Sequence, residues 1–175
     1  METVNHLTIT ADRSNVKVVL RALLYAIFFH RNLDNVEPET YEFLETHVTC
    51  APTPALEREI TSKIELFSRT FVDTGRNSGE IAVVFLQRIP KKGWFAITEE
   101  LVPWEEHLIS IRFPSPAPSR SQKPLPNPLP GALIQLLTFC AEKKANVPPL
   151  SSGSADSGTS HQASSATTAI SHHPL

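Results

Sequence analysis

Hydrophobic residues recur along this chain with two periods, which together predict a mixture of strands and helices. Ile81–Ile89 is a nearly unbroken apolar run, typical of a central strand that is buried on both faces. Glu105–Phe113 instead alternates, with Ile109, Ile111 and Phe113 on one side. We therefore expect a half-exposed strand that pairs with the central one.

Residues 90–104 separate these two strands and contain a pair of adjacent aromatic side chains. The segment is too long and too polar for a minimal hairpin turn, so we expect a loop. In extended backbone Trp94 and Phe95 point in opposite directions, and at least one of them should meet solvent. Long loops with large aromatic residues often bind another molecule, although a lid folded back on the domain is the alternative.

The first helical pattern begins near Val16, where apolar residues recur at spacings of three and four up to Phe28. It ends near His30 and Arg31, whose cationic side chains suit the negative end of a helix dipole. The apolar stripe is broad enough for a central helix that packs on a sheet.

Two further helices follow. Thr53 can cap the second helix, Pro54 suits its first turn, and Gly75 can adopt the left-handed conformation that closes it. Leu129–Glu142 has the pattern of a third helix. Of these segments, the second has the clearest start and stop signals.

Two weaker strands complete the expected fold. Val4–Thr10 alternates weakly and should lie at a sheet edge, and a short strand is expected near His47–Cys50. The resulting order of elements predicts an α+β domain, with helices covering one face of an antiparallel sheet.

The composition changes after the second strand of the pair. Residues 114–130 contain seven prolines, which favour an extended linker or insertion between a core at 1–113 and a helix at 131–150. Residues 151–175 have almost no large apolar side chains, so we expect a disordered tail that lacks an apolar C-terminal strand.

Charge and hydropathy exclude several classes of protein. The net charge of −2 and pI near 6.4 argue against binding to nucleic acid. The most apolar segment, Val18–Phe29, is well short of the ~20 residues that span a bilayer, and it has no signal-peptide cleavage site. We expect a cytoplasmic protein with no transmembrane segment.

The reactive side chains do not form a recognisable catalytic or metal motif. Cys50 and Cys140 lack C-x-x-C spacing and are interpreted as reduced thiols. The histidines share no metal-ligand spacing, so no metal or cofactor is predicted. A cysteine enzyme that uses Cys50 beside His47 is a remote alternative.

Three stretches of this sequence resemble the autophagy-related protein 101 family of HORMA-domain proteins: Leu20–Leu33, Lys91–Phe113 and Ala141–Leu150. The resemblance implies a HORMA-like fold, with three helices on an antiparallel sheet. It also implies a non-catalytic scaffold subunit that pairs with the HORMA domain of autophagy-related protein 13. That pair belongs to the kinase complex that starts autophagosome formation, at the phagophore assembly site.

The same resemblance suggests roles for individual residues. Trp94 and Phe95 correspond to an exposed finger that recruits downstream factors, and His30 with Arg31 would face a partner. Pro103 and Trp104 are expected to be structural. The alternative is a HORMA module of the checkpoint or chromosome-axis type, which clamps a peptide, and the missing C-terminal strand argues against it.

Overall fold

The computed structural model describes residues 3–31, 37–92, 97–115, 124–148 and 167–172. Within these ranges the chain forms β1 (Thr3–Thr10), α1 (Val16–Arg31), β2 (Glu39–Phe43), β3 (Thr46–Cys50), α2 (Pro54–Phe67), β4 (Ser78–Lys92), β5 (Ile97–Arg112), α3 (Leu129–Glu142) and β6 (Thr167–His172). The predicted α+β class is confirmed, and so are the expected positions of the three helices.

The main sheet has the strand order β1-β5-β4-β6. The central position of β4 and the edge position of β1 are both confirmed, because β4 pairs antiparallel with β5 and with β6. One pairing differs from the expected antiparallel sheet, since β1 runs parallel to β5. A parallel pair requires a long connection, and α1, α2 and β4 lie between these two strands.

All three helices lie on the same face of this sheet. Aromatic contacts show this. The ring centroid of Phe85 on β4 lies 5.9 Å from that of Phe28 on α1, and the ring centroid of Phe67 on α2 lies 6.4 Å from that of Phe113, which follows β5. From α3, Phe139 lies against β5. The fully buried side chains between helices and sheet include Leu7, Leu20, Leu23, Leu24, Ile27, Ile60, Ile64, Ile81, Ile109 and Ile111. Burial of each contributes about 1.5–3 kcal/mol to folding.

The second helix begins and ends as predicted. The Thr53 hydroxyl accepts a hydrogen bond from the backbone N–H of Leu56, at 3.2 Å. After a short π-helical turn, Gly75 adopts a φ of 73°, which the left-handed cap requires. The helix then approaches β4 so closely that a Cβ on Gly79 would lie 2.6 Å from Cγ of Phe71. A residue larger than glycine would push the helix away from the sheet.

The short strand expected near His47–Cys50 is β3, which pairs antiparallel with β2 in a separate two-stranded sheet. Leu44 and Glu45 form the turn, with φ of 46° and 60°. Such turns usually contain Asn-Gly or Asp-Gly, so the sequence carries no turn signal here. The side-chain amide of Asn127 donates to the Leu44 carbonyl at 2.6 Å and supports the strained turn.

The predicted loop at residues 90–104 is wrong, because β4 continues to Lys92 and β5 begins at Ile97. Only residues 93–96 connect the two strands, and they lie outside the described residues. The polar composition suggested a loop, whereas paired backbone and cross-strand side chains stabilise a hairpin there.

The tail also departs from the prediction over six residues. Thr167–His172 forms β6, although disorder was expected for all of 151–175. Its threonines and isoleucine are β-branched, and such residues favour strands even where apolar content is low. No helix in the described parts of the chain is long and apolar enough to span a membrane.

Candidate interaction site

Within the described residues, the hairpin of β4 and β5 extends beyond its pairing with the neighbouring strands. The described pairing of β4 with β6 runs from Ile81 to Leu86, and that of β5 with β1 runs from Glu105 to Arg112. Beyond these points six residue pairs continue, from Gln87 with Val102 to Lys92 with Ile97. We call residues 87–92 and 97–102 the hairpin arm. At strand geometry it is about 20 Å long.

The hairpin arm is held together by contacts between its own two strands. Arg88 and Glu99 lie 3.4 Å apart, and Lys91 and Glu100 lie 3.1 Å apart. These ion pairs are solvent-exposed, so each contributes little to stability. Ile89 and Leu101 are 42% and 48% exposed. The arm therefore presents both charged and apolar side chains to solvent.

A β-bulge marks the root of the arm. Phe85 pairs with Glu105 and Leu86 pairs with Pro103, so Trp104 is an extra residue on β5. The Trp104 ring packs 5.5 Å from the ring of Phe85. Bulges tolerate a residue that lacks an N–H, which fits the preceding Pro103. Both residues thus have positions suited to the structural role expected for them.

Next to the bulge lies a buried group of polar side chains, which we call the arginine cluster: Asn5, Arg31, Glu105 and His107. Each is at most 4% exposed. Arg31 makes a two-pronged ion pair with Glu105, in which Nε lies 2.6 Å from Oε1 and Nη2 lies 2.9 Å from Oε2. Its Nη1 donates to the carbonyls of His30 and Cys140. The cluster therefore joins the ends of α1 and α3 to the sheet.

The histidine of the cluster supports the same carboxylate. Nε2 of His107 lies 2.6 Å from Oε1 of Glu105, and Nδ1 lies 3.2 Å from Nδ2 of Asn5. With the Asn5 amide as the donor, Nε2 carries the ring proton and donates to Glu105. Burial by itself raises the pKa of Glu105, but the hydrogen bonds from His107 and Arg31 outweigh it and lower this pKa. The carboxyl is therefore held ionised inside the domain.

This geometry corrects one of the expected binding residues. Arg31 was expected to face a partner, yet its side chain is only 2% exposed because Glu105 and two helix carbonyls draw it inside. His30, the residue before it, is exposed. Trp94 and Phe95 lie outside the described residues, so their role as a finger stays a prediction.

The two cysteines lie in the core as free thiols. Burial raises the pKa of Cys50, and nearby carboxylates raise it further. His47 lies on the opposite, exposed side of β3 and cannot act on that thiol. Burial also raises the pKa of Cys140. Among the described residues, no group of His, Cys, Asp or Glu could hold a metal ion.

Sequence reasoning missed three residues of the arginine cluster: Asn5 on β1, and Glu105 and His107 on β5. The alternation of β5 places the latter two on the same face as Ile109 and Ile111, which are fully buried. Ionisable residues that share the buried face of a strand need buried partners. Their position in the same alternating pattern as Ile109 and Ile111 is the signal in the sequence that could have identified them.

The fold and this site define a small α+β domain with a protruding hairpin and a buried ion pair at its root. The model of the family described as autophagy-related protein 101 matches residues 8–154, and the chain therefore belongs to that family. This membership gives it a role in autophagy.

Two relatives illustrate the match. The chain is 30% identical to autophagy-related protein 101 of Schizosaccharomyces pombe over 95 residues, which cover 52% of this chain and 49% of that protein. It is 27% identical to autophagy-related protein 101 of Arabidopsis thaliana over 164 residues, which cover 79% of this chain and 75% of that protein. The match therefore spans about half the length of the fission yeast relative and three quarters of the plant one.

Proposed function

We propose that this chain is a non-catalytic adaptor subunit of the autophagy-initiation kinase complex. In that role it pairs with the HORMA domain of autophagy-related protein 13 at the phagophore assembly site, and it recruits later factors through Trp94 and Phe95. Family membership supports the cellular process, and the resemblance in the three stretches supports the partner.

The observation that carries the proposal is the hairpin arm. It extends six residue pairs past the described pairing with β1 and β6, and in the sequence the Trp-Phe pair lies between its two strands. A short exposed arm brings large aromatic side chains to a partner without the entropy loss of ordering a long loop. Aromatic residues are also enriched among those that dominate binding energy at protein interfaces.

A double substitution tests this role. Trp94→Ala with Phe95→Ala should leave the melting temperature and the pairing with the autophagy-related protein 13 HORMA domain unchanged, while autophagosome formation is lost in cells that carry only the variant. Ile89→Ala, on the exposed part of the same arm, is the matched control and should retain function. A large fall in melting temperature of the double variant would show instead that the aromatic pair belongs to the core.

Pairing is tested separately by co-purification. The tagged full chain should recover the HORMA domain of autophagy-related protein 13 at a stoichiometry near one to one. Failure of the purified proteins to associate at micromolar concentration would contradict the proposed partner.

One observation favours a second candidate, a HORMA module that clamps a peptide. The tail does supply a strand, because β6 pairs with β4 from Ile81 to Leu86. Recovery of a spindle-checkpoint or chromosome-axis protein in the same co-purification would support this candidate over the first.

A further inference from the structure

We infer that Pro103, Trp104 and Glu105, together with Arg31 and His107, form a joint that fixes the direction of the hairpin arm relative to the domain. The consequence for recruitment rests on the function proposed above, whereas the joint itself rests on geometry alone. Five observations lead to it.

The joint lies at the point where the arm leaves the domain. Glu105 pairs with Thr3 of β1 on one side and with Phe85 of β4 on the other. For the next pair outward, Leu86 with Pro103, the described part of β1 supplies no partner. A change in backbone direction at this position therefore swings the whole arm.

The bulge supplies such a change in direction. An extra residue in one strand bends that strand and increases its local twist. Here the extra residue is Trp104, and both Trp104 and Glu105 point toward the helices: Trp104 packs on Phe85, and Glu105 binds Arg31. Two successive residues on one side break the alternation of a regular strand, so the bend at the root is held by side chains on its inner face.

The ion pair of Arg31 with Glu105 is fully buried and has a restrictive geometry, and a contribution to stability does not by itself explain either feature. Arg31 and Glu105 side chains are 2% and 0% exposed. A buried ion pair is often no more stabilising than apolar residues of similar volume, and its geometry is far more restrictive. Because the guanidinium also holds the last-turn carbonyl of Cys140, it ties the arm root to the ends of both α1 and α3.

The arm's two exposed ion pairs do not set its angle to the domain. They are Arg88 with Glu99 and Lys91 with Glu100, and each joins one strand of the arm to the other. Between residues 88 and 101 the described side chains of the arm are exposed. The two ion pairs therefore act within the arm and not between the arm and the domain.

The joint also accounts for the Pro-Trp-Glu sequence. Proline is tolerated at the bulge, tryptophan fills the space beside Phe85, and glutamate reaches the arginine. Each of the three residue types meets a different requirement of the same bend.

A distance measurement tests the joint directly. Spin labels on Thr98→Cys in the arm and Ser62→Cys on α2 report the arm's angle, since both positions are exposed and the native cysteines are buried. The otherwise unchanged chain should give one narrow distance distribution. Adding Arg31→Met with Glu105→Gln removes both buried charges and keeps a hydrogen-bond acceptor for His107. This charge-free variant should give a broader distance distribution. Its unfolding should stay cooperative, which shows that it is folded.

Two more variants complete the test. Trp104→Ala keeps the ion pair, removes the packing on Phe85 and should also broaden the distribution. Lys17→Ala breaks the exposed pair with Glu65 at 2.9 Å and should leave the distribution narrow. An unchanged narrow distribution in folded Trp104→Ala or in the folded charge-free variant would overturn the joint.

The outcome is distinguishable from failure of the proposed function. If Trp94→Ala with Phe95→Ala leaves autophagosome formation intact, the recruitment role fails and the distance measurements still decide the joint. If the joint is correct and the arm does recruit, the charge-free variant should lose recruitment while it keeps Trp94 and Phe95.

Discussion

The same two strands, β4 and β5, run through two different environments in this molecule. In the domain body their inward side chains, among them Ile81, Val83 and Ile109, are fully buried under the helices. In the hairpin arm the same strands carry Ile89 and Leu101 in solvent. The body is stabilised by apolar burial, and the arm by backbone pairing, to which its exposed ion pairs add little.

This difference shows how a strand can serve both folding and binding. Apolar burial supplies most of the free energy of folding, so the body tolerates little change. The arm lies outside that core, and its sequence is therefore open to requirements of a partner. The bulge at Trp104 and the ion pair at Glu105 lie at the boundary between the domain body and the hairpin arm.

The largest effect should come from the core of the body. Phe67 is fully buried, 4.9 Å from the ring of Phe71. Phe67→Ala should lower the free energy of unfolding by about 3–5 kcal/mol, because it removes apolar contacts and leaves a cavity. Leu101→Ala in the arm is the control and should change it by less than about 0.5 kcal/mol. Equal losses in urea denaturation would show that the arm belongs to the core.

The next effect is the pH dependence of the arginine cluster. The pKa of Glu105 is lower in the folded protein than the usual value near ~4.3, so its ionised form favours folding. That contribution is present above this usual value and is lost as the pH falls below it, through the lower pKa of the folded state. The urea concentration at the midpoint of unfolding should therefore decrease as the pH is lowered from 6 to 3, an interval of about three units in which carboxyls titrate.

The comparison for this titration is the charge-free variant Arg31→Met with Glu105→Gln. Its midpoint should depend less on pH over the same interval, because position 105 no longer titrates. Parallel curves for the two proteins would contradict the role given to the carboxylate.

The smallest effect should come from the arm's ion pairs. Lys91 and Glu100 side chains are 69% and 55% exposed, so their coupling should be about 0.2–1 kcal/mol and should weaken with added salt. A double-mutant cycle with Lys91→Ala and Glu100→Ala measures it. A coupling comparable to the loss in Phe67→Ala would remove the distinction between arm and body.

Local signals in the sequence predicted much of the fold. The cap at Thr53 and the left-handed Gly75 marked α2, and an unbroken apolar run marked β4 as a central strand. These signals work because a cap or an apolar period depends on residues a few positions apart. The strands of the arm were missed because the pairing that forms them, such as Gln87 with Val102, joins residues on opposite sides of the hairpin.

The candidate site was predicted only in part, for the same reason. Pro103 and Trp104 were selected as structural residues from the sequence, whereas the bulge that they form becomes visible only from strand register. The role of Trp94 and Phe95 stays a prediction. Arg31 was expected to face a partner because the family resemblance includes the end of α1, and no residue near it in the sequence indicates the buried ion pair with Glu105.

The sequence by itself determined the three helices and the parts of β4 and β5 that lie in the domain body, and it showed which face of each helix is apolar, since these properties follow from spacing along a few turns or pleats. Tertiary structure decided that β1 pairs parallel with β5, that β4 and β5 remain paired as far as Lys92 and Ile97, and that Arg31 turns inward to Glu105. Those two residues are 74 positions apart, and no local period can encode their meeting. The guanidinium is buried because folding brings a carboxylate and two helix ends to the same place, and an ion deprived of water requires such partners.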